Sequence, residues 1–168
     1  GETHIEDSKL KNFLISIYQS VFFNDWLEER VLLSRESNEG KFVLLEGDLY
    51  QTSEGKLFTP KNAPLKDFED KKVVPTGLLC GRGVFRSRGA AGEIEAKYDD
   101  PLLYDKGLRR AAIIFPKEIV IDYMNNFDIM TISFTLPKGS YATVFLENLA
   151  SKEFKAKKVK SKESKGKK

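Results

Sequence analysis

Arginine and glycine alternate in one short stretch of the chain, and together these residue types could contact phosphate. Gly81-Arg82-Gly83 is followed closely by Arg86-Ser87-Arg88-Gly89. Glycine lets the backbone approach a ligand closely, and the planar guanidinium of arginine suits the oxygens of a phosphate group. Arg82 and Arg86 are therefore candidate contacts to an RNA backbone. A solvated surface loop without a ligand is the alternative that the same composition allows.

A second candidate lies near the C-terminus, where a predicted strand gives way to a predicted helix. Gly139 permits a tight turn, Ser140 can cap the helix, and Tyr141 then falls in its first turn. An aromatic ring at that place can stack on a nucleic-acid base. The alternative is a core tyrosine whose hydroxyl has a hydrogen-bond partner, and the residues taken alone favour it.

The side chains that several other chemistries need are missing. The chain has one histidine, His4, and one cysteine, Cys80. These numbers rule out an intramolecular disulfide or a cysteine-based zinc cluster, and they disfavour a serine or cysteine catalytic triad. Neighbouring carboxylates such as Asp99-Asp100 point in different directions and make poor acid-base pairs. We therefore expect no metal-ligand cluster, and a reducing, cytoplasmic compartment.

The composition is that of an ordinary globular protein with a basic tail. Hydrophobic residues make up 40% of the chain and charged residues 32%. No apolar stretch is long enough to span a bilayer, and the N-terminus lacks the pattern of a signal peptide. Residues 151–168 hold nine lysines and two glutamates, so the rest of the chain sums to about −4 although the whole carries +3. We expect the tail to be disordered, either attracting phosphate or merely solvated.

The spacing of hydrophobic residues predicts a long first helix. Asp7 or Ser8 can cap it and Gly40 ends the segment. Gln19 and Asn24 lie on the polar side of its apolar stripe, where hydrogen bonds to a sheet are expected. The predicted apolar stripe consists of Leu10, Phe13, Leu14, Ile17 and Val21. The residues expected at the surface are Glu28, Glu29, Arg30 and Arg35.

The middle of the chain reads as short strands followed by helices. Three strands with glycine-containing turns are predicted at residues 42–45, 49–52 and 56–59, and a polar loop at 60–72. Helices are predicted at about 91–98 and at 100–112. The second of these rests on Asp100 as its cap and Pro101 at its first position.

The end of the chain is predicted to form a β-hairpin and a helix. The two strands are Lys117–Met124 and Ile129–Leu136, joined by a turn. Alternation along the second strand predicts one buried face, made of Met130, Ile132, Phe134 and Leu136. The apolar stripe of the following helix consists of Ala142, Phe145, Leu146 and Leu149.

Three ordered motifs resemble the TruD family of tRNA pseudouridine synthases. Phe134–Thr143 (FTLPKGSYAT) is similar to the C-terminal signature of the family. Ser16–Asn24 (SIYQSVFFN) resembles its Gln-Ser-x-x-Phe-Asn helix, and Pro75–Gly81 (PTGLLCG) resembles its Pro-Thr-Gly-Pro-Leu-x-Gly segment. Leu108-Arg109-Arg110 with Phe115-Pro116 adds a fourth agreement. The resemblance extends over nearly all of residues 10–150.

The resemblance implies an α+β fold and an RNA-modifying activity. The family isomerises a uridine in tRNA, uridine-13, to pseudouridine without metal or cofactor. Its α/β catalytic domain has a mixed or antiparallel sheet and carries an inserted TruD-specific subdomain. Here residues 1–38 and 116–150 would belong to the catalytic domain, 39–115 to the insertion, and 151–168 to the tail.

The resemblance also assigns roles to particular residues. The family's nucleophilic aspartate lies in a Gly-x-Lys-Asp segment, which this sequence lacks; Asp67 follows a lysine but without that glycine, and we expect it at the surface. The aspartate is expected in an N-terminal part of the enzyme outside this chain, and the chain alone is expected to be inactive. Tyr141 corresponds to an active-site wall position, so it becomes a base-stacking candidate beside Ser140.

Two other functions remain open on the sequence alone. One is an RNA-binding module that uses the arginine–glycine loop and the lysine-rich tail. The other is a non-catalytic fragment. The expected partners are tRNA and the N-terminal part of the same enzyme, with no membrane involved. The order of the motifs favours the enzyme.

Overall fold

A computed structural model of the chain describes residues 2–37, 41–125, 129–137, 140 and 142–150. The Lys-rich tail and Tyr141 lie outside the described residues. The chain divides into two compact units, residues 1–114 and residues 115–168. Each unit combines helix with antiparallel sheet, so the predicted α+β class is confirmed.

In the described part of the first unit there are three α-helices, one 3₁₀ turn and four strands. In chain order these are α1 (Glu2–Glu36), β1 (Tyr50–Thr52), β2 (Leu57–Phe58), α2 (Leu65–Glu69), β3 (Val73–Leu79), α3 (Gly89–Glu95), the 3₁₀ turn (Ala96–Tyr98) and β4 (Leu108–Ala111). The second unit contains β5 (Lys117–Met124), β6 (Ile129–Thr135) and α4 (Ala142–Ala150).

Strand β3 is the centre of the first unit. Its sheet has the order β2-β1-β3-β4, and the pairs are antiparallel, with Tyr50 opposite Pro75 and Thr76 opposite Ala111. Six of the seven β3 residues are buried. A central strand is buried on both of its faces, as β3 is along nearly its whole length. Hydrophobic periodicity in the sequence did not predict this strand.

Helix α1 covers this sheet with the face opposite its predicted apolar stripe. Phe23 and Trp26 pack against Leu79 in the core, together with the half-buried Leu27, Ile94, Tyr98 and Ala112. The predicted stripe is solvent-exposed, with Phe13 60% and Val21 51% accessible. At about 100° per residue the two sets lie on roughly opposite sides of the helix. The predicted stripe is therefore an apolar face of α1 that lies outside the core of this unit.

The prediction that Arg30 lies at the surface is wrong, because its side chain is completely buried. Its guanidinium donates two hydrogen bonds to the Asp48 carboxylate, at 2.7 and 2.9 Å. It also donates to the carbonyl of Val43 at 2.8 Å, while the Val43 amide donates to the Ser34 hydroxyl. Val43 and Leu45 thus bond to side chains instead of to a neighbouring strand, which explains why the strand predicted at 42–45 does not form.

The helix predicted at residues 100–112 is also absent. The Asp100 carboxylate accepts the Leu102 amide at 3.0 Å, which closes a local turn instead of starting a helix. Residues 108–111 then form β4 beside β3. Asp-Pro favours a turn as readily as a helix start, and pairing with the central strand decides the outcome. The loop predicted at 60–72 contains the short helix α2 after Pro64.

The second unit is an antiparallel hairpin followed by a helix, as predicted. Strands β5 and β6 pair with one irregularity between Lys117 and Val120. Phe134 of β6 stacks edge-on against Phe145 of α4, with ring centroids 4.7 Å apart. Met130, expected on the buried face, is 60% exposed, and every residue of β5 is exposed. The alternation is present, but its apolar face is only partly covered.

Candidate functional site

The arginine–glycine loop is anchored from beneath by a buried ion pair. Arg109 on β4 donates to Glu95 on α3 at 2.7 Å, and both side chains are almost completely buried. Glu95 in turn accepts the amide and the hydroxyl of Ser87, while Arg109 donates to the Phe85 carbonyl at 3.3 Å. Burial lowers the pKa of Arg109 below its ordinary value, opposed by the Glu95 charge. The loop is therefore fixed at several points.

Arg82 lies at the surface of this loop and stacks on an aromatic ring. Its guanidinium carbon is 3.5 Å from the centroid of the Tyr104 ring, and the ring itself is 73% exposed. Within the described residues, Arg82 forms no ion pair with a carboxylate. Its N–H groups are free to donate to a ligand, which is the chemistry predicted for this residue.

Arg86 has a different environment, because the fold already uses its guanidinium. It donates to both oxygens of Asp99, at 2.6 and 3.3 Å, and to the Gly81 carbonyl at 3.2 Å. The hydrogen bond to Asp99 raises the pKa of Arg86 above its ordinary value. The side chain is 41% exposed. The sequence grouped the two arginines together, but their roles differ. Arg82 is an exposed cation, whereas Arg86 bridges Asp99 and the Gly81 carbonyl.

Two loops are joined at their base by backbone hydrogen bonds. The Arg82 amide donates to the Asp105 carbonyl at 2.8 Å, and the Gly107 amide donates to the Arg82 carbonyl at 2.9 Å. Gly81 has a φ of 143°, and a Cβ there would overlap the backbone of Asp105 and Gly107. Glycine at position 81 is required for this close approach. The pair of loops at 81–88 and 99–107 therefore presents one surface.

Gln19 connects helix α1 to the same pair of loops. Its buried side-chain amide donates to the carbonyls of Cys80 at 2.7 Å and Lys106 at 3.0 Å. Burial raises the pKa of the neighbouring Cys80 thiol, which disfavours the reactive thiolate. Asn24, grouped with Gln19 by the sequence, is exposed.

The Pro75-Thr76-Gly77 segment has a packing role at every position. The Thr76 hydroxyl donates to the Leu49 carbonyl at 2.9 Å and accepts a hydrogen bond from Arg109 at 3.1 Å. A Cβ at Gly77 would overlap the ring of Trp26. The Pro75 carbonyl accepts the amide of Ala112. Spacing alone could not distinguish this role from a ligand contact.

The second predicted site is described only in part. Ser140 is half-buried, and its amide donates to the Pro137 carbonyl at 3.2 Å. Tyr141 is not among the described residues. Asp67 lies on α2 with its side chain 55% exposed, as expected for a surface residue.

One further cleft lies in the first unit. It has a volume of about 350 Å³ and is lined by residues that include Asp48, Tyr50 and Lys61. The Tyr50 side chain is buried and its hydroxyl has no hydrogen-bond partner in the described part of the chain. Burial, together with the Asp48 charge, raises the pKa of Tyr50.

Comparison with known proteins decides the family. The family model described as tRNA pseudouridine synthase D (TruD) matches residues 4–149. The chain belongs to the TruD family. All three ordered motifs of the sequence lie inside the matched range, so the resemblance that they indicated is confirmed.

Curated members of the TruD family share about a third of their residues with this chain. The tRNA pseudouridine synthase D of Wolinella succinogenes is 33% identical over 183 aligned positions, covering 92% of this chain and 51% of that protein. The protein of the same name from a Nitratiruptor species is 35% identical, with 92% and 51% covered. The chain spans about half the length of the curated relatives that it matches.

A solved structure shares the fold. It is described as a tRNA pseudouridine synthase D (TruD) from Methanosarcina mazei, and it superposes with a TM-score of 0.58 at 24% identity. The match covers 81% of this chain and 37% of that one. The TruD-like α+β fold is therefore shared at low sequence identity.

The structure adds residues that the sequence did not single out. Tyr104 and Phe85 are exposed aromatic residues of the joined loops, at 73% and 74% accessibility. Tyr104 fell inside a predicted helix, so it was not recognised as a loop residue. Phe85, between the two arginine clusters, was not named as a candidate. Within the described residues there is no helix suited to cross a membrane and no group of three potential metal ligands.

Proposed function

We propose that this chain is the C-terminal part of a tRNA pseudouridine synthase that isomerises a uridine of tRNA, uridine-13, to pseudouridine. The observation that carries the proposal is the TruD family match over residues 4–149. The curated relatives named tRNA pseudouridine synthase D support it. The reaction breaks the base–sugar bond, turns the base and forms a carbon–carbon bond to the ribose.

The nucleophilic aspartate of the reaction is supplied by polypeptide outside these 168 residues. The sequence has no Gly-x-Lys-Asp segment. We therefore expect the isolated chain to be inactive, and to become active only together with the N-terminal part of the enzyme. Domain boundaries near residues 38 and 115 would assign 1–38 and 116–150 to the catalytic domain and 39–115 to the insertion.

Exposed apolar surface supports the pairing with an N-terminal part. In the first unit, Phe13 and Leu14 of α1 are more than half exposed. In the second unit, Ile121 and Met130 of the hairpin are each 60% exposed. Contiguous apolar surface of this kind marks interfaces. The rest of the same enzyme is the partner that would cover it, and the cytoplasm, where tRNA is modified, is the proposed location.

Tyr141 and Ser140 are proposed to line the pocket for the target base. We expect Tyr141→Ala in the complete enzyme to lower turnover at least tenfold while it changes the free energy of unfolding by less than about 1 kcal/mol, since a stacking ring at a pocket wall contributes to binding rather than to the core. Single-turnover kinetics and urea unfolding measure the two effects. Proportionate losses of both would place Tyr141 in the core.

Tritium release tests the reaction itself. Transcribed tRNA carrying tritium at carbon 5 of uridine loses the label to water when that carbon bonds to the ribose. The complete protein that carries this chain should release one label per tRNA, and the 168-residue chain alone should release none. Sequencing the site of modification then tests uridine-13.

Two outcomes would contradict the proposal. If the complete protein binds tRNA without releasing label, the chain belongs to an RNA-binding module. If it neither binds tRNA nor releases label, a non-catalytic fragment is the better description. Release by the isolated chain would contradict the separate proposal that the aspartate lies outside it.

A further inference from the structure

The joined loops of the first unit expose unusually large apolar side chains. Phe85 is 74% accessible, Leu102 is 80% and Tyr104 is 73%. We call these three residues, together with Arg82, the loop patch. A patch of exposed apolar and aromatic side chains often marks a binding site.

The loop patch stands on a frame that is already hydrogen-bonded. Arg109 and Glu95 hold the backbone around Phe85 and Ser87. On the other loop, the Tyr18 hydroxyl of α1 donates to the Asp100 carboxylate at 3.0 Å. A surface fixed in this way loses little conformational entropy when it binds a ligand.

Arg82 and Arg86 differ in whether a carboxylate of the two loops already binds the guanidinium. The Arg86 guanidinium is occupied by Asp99, whereas Arg82 has its flat face on the Tyr104 ring. Stacking uses the face of the guanidinium and leaves its in-plane N–H groups to donate to phosphate oxygens. Arg82 therefore offers the cationic contact of the patch.

We propose that the loop patch binds tRNA at an unpaired nucleotide, with Phe85 stacking on the base and the Arg82–Tyr104 pair contacting its phosphate. The inference rests on the proposed function and adds to it a second RNA contact, separate from the Ser140–Tyr141 segment. Aromatic rings next to arginine are the chemistry that recognises unstacked bases in RNA. The negative charge of the chain without its tail argues for such a local contact rather than a broad basic surface.

The test is the binding of unmodified tRNA transcript to the complete protein, measured as a function of salt. Phe85→Ser should weaken binding about tenfold, because one stacked base is lost. Arg82→Gln should weaken it about fivefold and lower the slope of log K against log salt by about 0.7–0.9, which corresponds to one phosphate contact. Two matched controls, Leu65→Ser and Arg35→Gln, alter an exposed leucine and an exposed arginine elsewhere on the first unit and should leave binding unchanged.

The outcomes separate this inference from the proposed function. If the unaltered protein forms pseudouridine and both loop variants bind tRNA as tightly as it does, the loop patch is not an RNA contact and the proposed function stands. Variants that keep tRNA affinity but change the sedimentation of the protein would make the patch a protein interface. If the unaltered protein neither binds nor modifies tRNA, both proposals fail.

Discussion

The buried pair of Arg30 and Asp48 is a residue-scale feature on which the stability of the first unit depends. We expect Arg30→Met to cost about 3–5 kcal/mol in the free energy of unfolding, because the Asp48 carboxylate would stay buried without its partner. Arg35→Met, on the same helix but exposed, should cost less than about 0.5 kcal/mol. Urea unfolding of the two variants measures the difference. Equal costs would contradict the buried pairing.

The Glu29 carboxylate provides a residue-scale test by pH. Lys97 and Tyr98 donate to its two oxygens, at 2.6 and 2.7 Å, and hold the pKa of Glu29 below its ordinary 4.5. A carboxylate whose pKa is lowered by folding stabilises the fold above its unfolded pKa, and that contribution is lost as the pH falls through the folded value.

Glu29→Gln should therefore flatten the loss of stability below about pH 4.5. Urea midpoints recorded between pH 7 and pH 3 would show it. Lys97→Met should flatten the same range, since it removes the ammonium that contributes most. A Glu29→Gln profile parallel to that of the unaltered chain would contradict the assignment.

Single residues were predicted best where their spacing carried the information. The Arg82 position at an exposed loop follows from glycine and arginine alone. The burial of Arg30 does not follow from the sequence, because its partner Asp48 lies 18 residues later in the chain and only tertiary packing brings the two together. Gln19 lies opposite the apolar stripe as expected, but on the buried face of α1, and its acceptors at Cys80 and Lys106 could not be named from sequence.

At the scale of elements, helix α1 has two faces with different roles. We expect Phe13→Ser and Ile17→Ser to change the unfolding free energy of the isolated chain by less than about 1 kcal/mol, because both side chains are largely exposed. Phe23→Ala should cost about 3–5 kcal/mol, since it removes a ring from the core.

The same substitutions should behave differently in the complete enzyme. If an N-terminal part covers the exposed face, Phe13→Ser becomes destabilising there. Thermal unfolding of the complete protein, compared with that of the isolated chain, is the measurement. A stability loss of the isolated chain equal to that of Phe23→Ala would show that the exposed face belongs to the core of the first unit.

Elements with strong periodicity were predicted correctly, and those that depend on distant pairing were not. The hairpin β5–β6 follows from alternation and turn residues. Strand β4 was mistaken for a helix because Asp100-Pro101 is compatible with both, and its partner β3 is about thirty residues earlier in the chain. The local sequence around a strand carries no information about its pairing with a strand that is distant along the chain.

At the scale of the whole molecule, the two units should differ in their resistance to opening. The backbone of β3 is paired on both sides and buried, whereas β5 and β6 form a two-stranded sheet with exposed faces. Two strands alone are marginally stable in water. We expect amides of 117–124 to exchange with deuterium at least tenfold faster than those of 73–79, measured by mass spectrometry of peptides. Equal protection would contradict a weak hairpin in the isolated chain.

The single tryptophan of the chain gives the molecule a selective optical reporter. Trp26 is buried against Gly77 in the first unit, and the sequence contains no other tryptophan. Its fluorescence therefore follows the opening of the first unit. Circular dichroism sums over both units. A fluorescence curve alone would describe only the first unit, and only its agreement with the circular dichroism curve would justify treating the chain as two-state.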